Sequence, residues 1–120
     1  MDGLSGLALQ KCKEKENKVK IMMRTPVKIV PGKMAEYMEL EKERVAMAKR
    51  FGCPPEKCYM MISGPGDRVH TIVYELEWDS LAAIETFYEK MLSDPESQAM
   101  QAKYGGLIES HGLELYMPMP

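Results

Sequence analysis

VHTIVYELEWDSLAAIETFYEKM, residues 69–91, changes its period partway along, and that change decides the fold. Neighbouring residues of an extended chain point to opposite faces. His70, Ile72, Tyr74, Leu76 and Trp78 therefore share one side of a strand, and Val69, Thr71, Val73, Glu75 and Glu77 share the other. Beyond Trp78 the apolar residues Leu81, Ile84, Phe87, Tyr88 and Met91 recur three and four apart, which predicts a helix over about 80–92 with Asp79 or Ser80 as its N-cap. Upstream, CYMMIS (58–63) reads as a second strand. Gly64-Pro65-Gly66-Asp67 between the two strands is a hairpin turn signal. Trp78 stands at the strand-to-helix junction, placed either to close a core or to wall a pocket.

Working outward, VKIMMRTPVKIV (19–30) is rich in β-branched residues and ends at Pro31-Gly32. Pro26 lacks an amide hydrogen, so the strand is expected to bulge or lose a partner there. KMAEYMELEKERVAMAKRF (33–51) returns to the helical period. Met34, Tyr37, Met38, Val45, Ala48 and Phe51 form its stripe, with Leu40 and Met47 widening it. Glu36, Glu39, Lys42, Glu43, Lys49 and Arg50 form the wet face. SDPESQAMQAKYGG (93–106) is a short helix capped by Asp94, with Pro95 at its first position, Glu96 at the positive helix end and Gly105 as the stop. HGLELYM (111–117) reads as a last strand. The order β, α, β, β, α, α, β is the ferredoxin-like α+β arrangement: a four-stranded antiparallel sheet with all helices on one face.

The 120 residues suffice for one domain, taken as 19–120, with 1–18 as a flexible N-terminal arm. Sixteen basic residues against 18 acidic ones give no basic face for nucleic acid, and no apolar run is long enough for a membrane span. The acidic second residue argues against a signal peptide, and an odd count of three cysteines fits a reducing, cytoplasmic setting. Cys53 and Cys58 pair only if the intervening turn allows it. Cys12, His70 and His111 lie too far apart in sequence to complete a zinc set, so no metal is expected.

With every helix on one side, the second sheet face is left bare. It would carry Met22, Arg24 and Lys28 from the first strand, Val73, Glu75 and Glu77 from the third, and Glu114 and Tyr116 from the last. The edge strand adds either Tyr59 and Met61 or Met60 and Ile62. This face is too apolar for solvent, which predicts a homodimer closed sheet against sheet. Arg24 and Lys28 are expected to pair with Glu75, Glu77 or Glu114, within one chain or across the dimer axis.

VPGKMAEYMELEKER (30–44) and YELEWDSLAAIETFYEKMLSDPE (74–96) resemble the dimeric α/β-barrel superfamily, in particular its antibiotic-biosynthesis-monooxygenase and NIPSNAP-like groups. The resemblance spans about 19–117 and rests on Pro-Gly before the first helix and Glu-x-Trp-x-Ser before the second. It implies two ferredoxin-like sheets joined into a barrel, with ligands held between sheet and helices. It also aligns Trp78 with the tryptophan that ends the third strand in the oxygenase and haem-degrading members. The haem-degrading members have a histidine in the second helix and an asparagine on the first strand. Here Tyr88 stands near the former position, and Asn17 precedes the strand. Fold alone does not choose among the activities of such a group.

A pocket on the helix-facing side is expected to draw on Tyr37, Tyr74, Trp78, Tyr88 and Tyr104, together with His70 and His111. The two histidines are the catalytic candidates, because theirs is the side-chain type that titrates near neutrality. Twelve methionines suit an adaptable apolar interior. These readings together predict a homodimer that binds a small apolar or aromatic molecule and needs no cofactor. The alternative is a cofactor-independent monooxygenase, or an isomerase or cyclase, acting on an aromatic or polyketide-like substrate.

Overall fold

In the computed structural model the strands are β1 (Ile21–Ile29), β2 (Lys57–Met60), β3 (Thr71–Trp78), β4 (Ile108–His111) and β5 (Glu114–Tyr116). The helices are α1 (Met34–Arg50), α2 (Leu81–Ser93) and α3 (Pro95–Lys103). The structure describes residues 19–64 and 69–120. The expected arm at 1–18 and most of the expected turn at Gly64-Pro65-Gly66-Asp67 lie outside the described residues.

The sheet runs β2-β3-β1-β4 with β5 also on β1, and every pairing is antiparallel. β1 lies at the centre. Its Ile21, Met23, Val27 and Ile29 face the helices and are buried. Register places Met23 opposite Leu76 and Val27 opposite Ile72, so the alternation read from sequence holds on both strands. The buried side chains form two clusters. One joins Ile21, Met23, Leu76 and Trp78 to Ala48 of α1 and to Ile84 and Phe87 of α2. The other joins Val27, Ile29, Ile72 and Tyr74 to Tyr37 of α1.

The last strand does not run continuously over 111–117. It is two pieces, and the break faces Pro26. β4 pairs with Val27–Ile29 and β5 with Met22–Arg24, leaving Pro26 between them. The Pro26 carbonyl is turned to this edge, where it accepts from the Gly112 amide at 3.0 Å. The amide hydrogen that proline lacks would point to the same edge, so the ladder cannot be continuous there.

Local capping sets the helix ends. Ser80, the first residue outside α2, accepts from the Ala83 amide at 3.1 Å, and Asp94 accepts from the Ser97 amide at 2.9 Å with Pro95 following. Asp94→Ala is expected to cost about 1 kcal/mol, read as a lower denaturation midpoint at an unchanged slope. α1 ends in a Schellman turn. The Cys53 amide donates to the Ala48 carbonyl at 3.0 Å and the Gly52 amide to the Lys49 carbonyl at 3.1 Å, with Gly52 at φ 90°. That left-handed residue reverses the chain, so the Cys53–Glu56 segment returns beside the helix it has just left.

Candidate functional site

The inner face of α1 carries two charged residues. Tyr37, Glu41, Arg44 and Ala48 are spaced four, three and four apart, so they share one face of the helix. That is the face against the sheet, where Tyr37, Glu41 and Ala48 are buried. The reversal after Gly52 brings Glu56 to the same place. Arg44 Nε and Nη2 donate to the two Glu41 carboxylate oxygens, each at 2.8 Å. Arg44 Nη1 and Nη2 donate to the two oxygens of Glu56 at 2.9 and 3.1 Å. The guanidinium also lies over the Tyr74 ring, 5.2 Å from its centroid.

Tyrosines complete the cluster. Tyr74 Oη of β3 donates to Glu41 Oε2 at 2.7 Å, and Tyr104 Oη, just past α3, donates to Glu41 Oε1 at 2.6 Å. Tyr74 has one hydroxyl hydrogen, and Glu41 takes it. The 2.6 Å contact between the Tyr37 and Tyr74 hydroxyls is therefore donated by Tyr37. Glu41 thus accepts four hydrogen bonds from three side chains. Burial acts to raise the Glu41 carboxyl, but the hydrogen bonds and charge of Arg44, with the Tyr104 and Tyr74 hydroxyls, outweigh it and hold it below its ordinary value. Burial first, then the neighbouring hydroxyl and Glu41, pushes Tyr74 up, and burial and Glu41 do the same to Tyr104. The hydroxyls stay protonated and the carboxylate ionised.

These groups form one wall of a cavity of about 520 Å³ between sheet and helices, a volume within the range of small-molecule pockets. Members of both core clusters line it. Its apolar end holds Trp78, Phe87 and Tyr88, with Trp78 and Phe87 ring centroids 5.2 Å apart and Phe87 and Tyr88 centroids 5.4 Å apart. Met23, Met47, Met91 and Met100 add flexible thioether wall. The Trp78 indole N–H is buried without an acceptor, and the Tyr88 hydroxyl faces only the Met23 sulfur at 3.9 Å.

Of the expected pocket residues, the cavity is lined by Tyr37, Tyr74, Trp78, Tyr88, Tyr104 and His111. His70 is not among the lining. It sits before β3 at φ 65°, exposed, its carbonyl accepting from the Ile29 amide at 3.0 Å. The left-handed backbone ends the strand at Thr71, so strand alternation does not extend to it. His111 is exposed and lines the cavity at the end of β4, opposite Val27. Sequence reading missed Glu41, Arg44 and Glu56, although the spacing of the first two from Tyr37 placed them on the apolar stripe.

Cys53 and Cys58 are both free thiols. Burial, and then Glu56, pushes Cys53 up to about 11. Among the described residues no three His, Cys, Asp or Glu side chains converge as a metal site, and no helix is long and apolar enough to cross a membrane.

On the far face, Met22, Arg24 and Lys28 stand in register with Glu77, Glu75 and Thr71, while Arg24 faces Glu114 and Met22 faces Tyr116 across β5. Within the chain, Lys28 reaches Glu109 at 3.3 Å, and Glu77 pairs with Lys20 at 3.0 Å. Tyr59 rather than Met60 shares this face, opposite Val73. Val73 is already buried within the chain, whereas Tyr59 and Tyr116 are exposed.

No protein-family model matches the chain, and neither does any curated protein. Solved structures do. A NIPSNAP family protein from Agrobacterium tumefaciens superposes with a TM-score of 0.70 at 22% identity, over 84% of this chain and 87% of that one. An uncharacterised NIPSNAP domain protein from Burkholderia xenovorans gives 0.70 at 20% identity, over 83% and 94%. A structure described as an antibiotic biosynthesis monooxygenase gives 0.62 at 14% identity, over 83% and 99%. The chain thus has the ferredoxin-like α+β fold of the NIPSNAP proteins and of an antibiotic biosynthesis monooxygenase, a likeness that carries fold and not activity.

Proposed function

We propose that this chain forms a homodimeric α/β barrel through its bare sheet faces and holds a small apolar or aromatic molecule between sheet and helices in each subunit. One observation carries the binding reading: the cavity of about 520 Å³, with apolar walls and a single convergent polar cluster. A core of this size ordinarily closes on itself. Here the Glu41–Arg44–Glu56 group, with Glu41 buried and Arg44 and Glu56 partly exposed, stands at the cavity wall, where apolar residues of the same volume often pack at no loss of stability. The dimer reading is supported by the side chains of Tyr59 and Tyr116 left exposed on the helix-free side.

Trp78 is the chain's only tryptophan and lines the cavity, so its fluorescence reports occupancy directly. Titration with a bicyclic aromatic probe is expected to saturate at one site per chain. Thr25 also lines the cavity, and Thr25→Leu, which adds bulk there, is expected to weaken the probe about tenfold or more without unfolding the chain. A probe that leaves Trp78 emission unchanged, or that binds Thr25→Leu equally well, contradicts the reading.

A second reading is favoured by His111 on the cavity lining. In it the chain is a cofactor-independent monooxygenase, or an isomerase or cyclase, with His111 taking a proton from an aromatic or polyketide-like substrate. It requires that His111→Ala abolish turnover while leaving probe binding intact.

A further inference from the structure

The polar wall of the cavity has a sign. Two carboxylates, Glu41 and Glu56, share one guanidinium, Arg44, so this part-buried cluster carries a net charge of −1. We propose that the cavity selects a molecule with an apolar or aromatic body and a cationic nitrogen head, a protonated amine above all, and discriminates against carboxylates and other anions. This rests on the reading of the cavity as a ligand site and adds the charge of its occupant.

Hydrogen-bond direction agrees with the charge. The hydroxyl hydrogens of Tyr74 and Tyr104 go to Glu41, and that of Tyr37 goes to Tyr74. These three tyrosine oxygens therefore have only lone pairs left to offer a ligand. Arg44 has four of its five N–H groups committed to the two carboxylates, so it cannot serve a third. Among the described residues no lysine lines the cavity. Apart from His111 at the exposed end of β4, the other donors that line it, such as Thr25, Trp78 and Tyr88, are uncharged; they can meet a carbonyl or an ether but cannot balance an anion. A buried anion without a counter-charge is strongly disfavoured, whereas a buried cation here completes the charge of the cluster.

The remaining walls suit the same ligand. Six of the chain's nine aromatic side chains line the cavity. Aromatic faces attract cations, as Arg44 over Tyr74 already shows inside this site. The same argument weighs against the second reading above, in which the substrate becomes an anion next to the negative cluster.

Calorimetric titration of the full chain near neutral pH and at physiological salt, with three probes sharing one body, tests this. The probes are 1-naphthylmethylamine, 1-naphthalenemethanol and 1-naphthoate. The amine is expected to bind about tenfold or more tighter than the alcohol, with the acid weakest. Glu56→Gln neutralises the cluster and is expected to reduce the amine's advantage over the alcohol to within about threefold. The native series carries the test by itself, so it stands even where the variant fails to fold. An acid or alcohol that binds as tightly as the amine overturns the charge selectivity and leaves the cavity as a ligand site. Failure of all three probes to bind overturns both.

Discussion

Glu41→Ala is expected to remove about 3–5 kcal/mol of stability, a large part of what a domain of this size has. The substitution leaves Arg44 Nε, the Tyr74 hydroxyl and the Tyr104 hydroxyl without their acceptor, all at the boundary of a low-dielectric core. The cost falls toward the lower figure because Glu56 continues to neutralise Arg44. Glu41→Gln keeps the shape but turns an amide NH₂ toward an Arg44 N–H, which can only donate, so it too destabilises, by about 1–3 kcal/mol. Glu39, two residues away, pairs with Lys42 in solvent, and Glu39→Ala should leave the midpoint unchanged. Urea denaturation at one fixed protein concentration reads all three variants. Glu41→Ala unfolding at the same midpoint as Glu39→Ala contradicts the buried cluster.

The same group sets a pH signature. Glu41 has a folded-state value below its ordinary 4.5, so its contribution is fully present above that value and is lost as pH falls through the depressed one. The tyrosines move the other way. Tyr74 and Tyr104 lie above their ordinary 10, so their contribution is present below 10 and is lost as pH rises through the raised values. Stability should therefore decline at both ends of the pH range, and Tyr104→Phe should reduce the alkaline decline.

The second large effect is on assembly. Met22 lies on the helix-free face in register with Glu77 and Tyr116, and it is half-buried. Met22→Glu places one unpaired carboxylate per subunit in the proposed sheet-to-sheet contact, beside an acid already there. The dimer dissociation constant is expected to rise by about 100-fold or more. The fold is expected to persist, because the core lies on the opposite face of β1. Sedimentation equilibrium with circular dichroism separates the two effects. An unchanged association constant for Met22→Glu would place the contact elsewhere.

The period change after Trp78 marked β3 and α2 because both elements obey a single spacing rule. Pro26 announced a defect in β1 correctly, but the defect appeared in the neighbouring strand, because the missing donor faces β4 and β5. Five aromatic pocket residues and His111 were legible because side-chain parity and helical spacing point inward independently of tertiary detail. Glu41 and Arg44 were not, because charge on a helix is ordinarily solvated, and only their spacing from Tyr37 marked them as facing the sheet. Glu56 could not be placed from spacing at all. Its position depends on the reversal at Gly52, where a left-handed residue turns the chain back along α1. His70 illustrates the reverse failure, since alternation assigns a face only where the backbone remains extended.

Native mass spectrometry of the full chain, purified from its own source at micromolar concentration, tests the central claim most directly. The account predicts a complex of two 13.7-kDa chains that retains a small molecule, released on collisional activation and carrying a cationic nitrogen. A bare 13.7-kDa chain, single and empty under the same conditions, would contradict it.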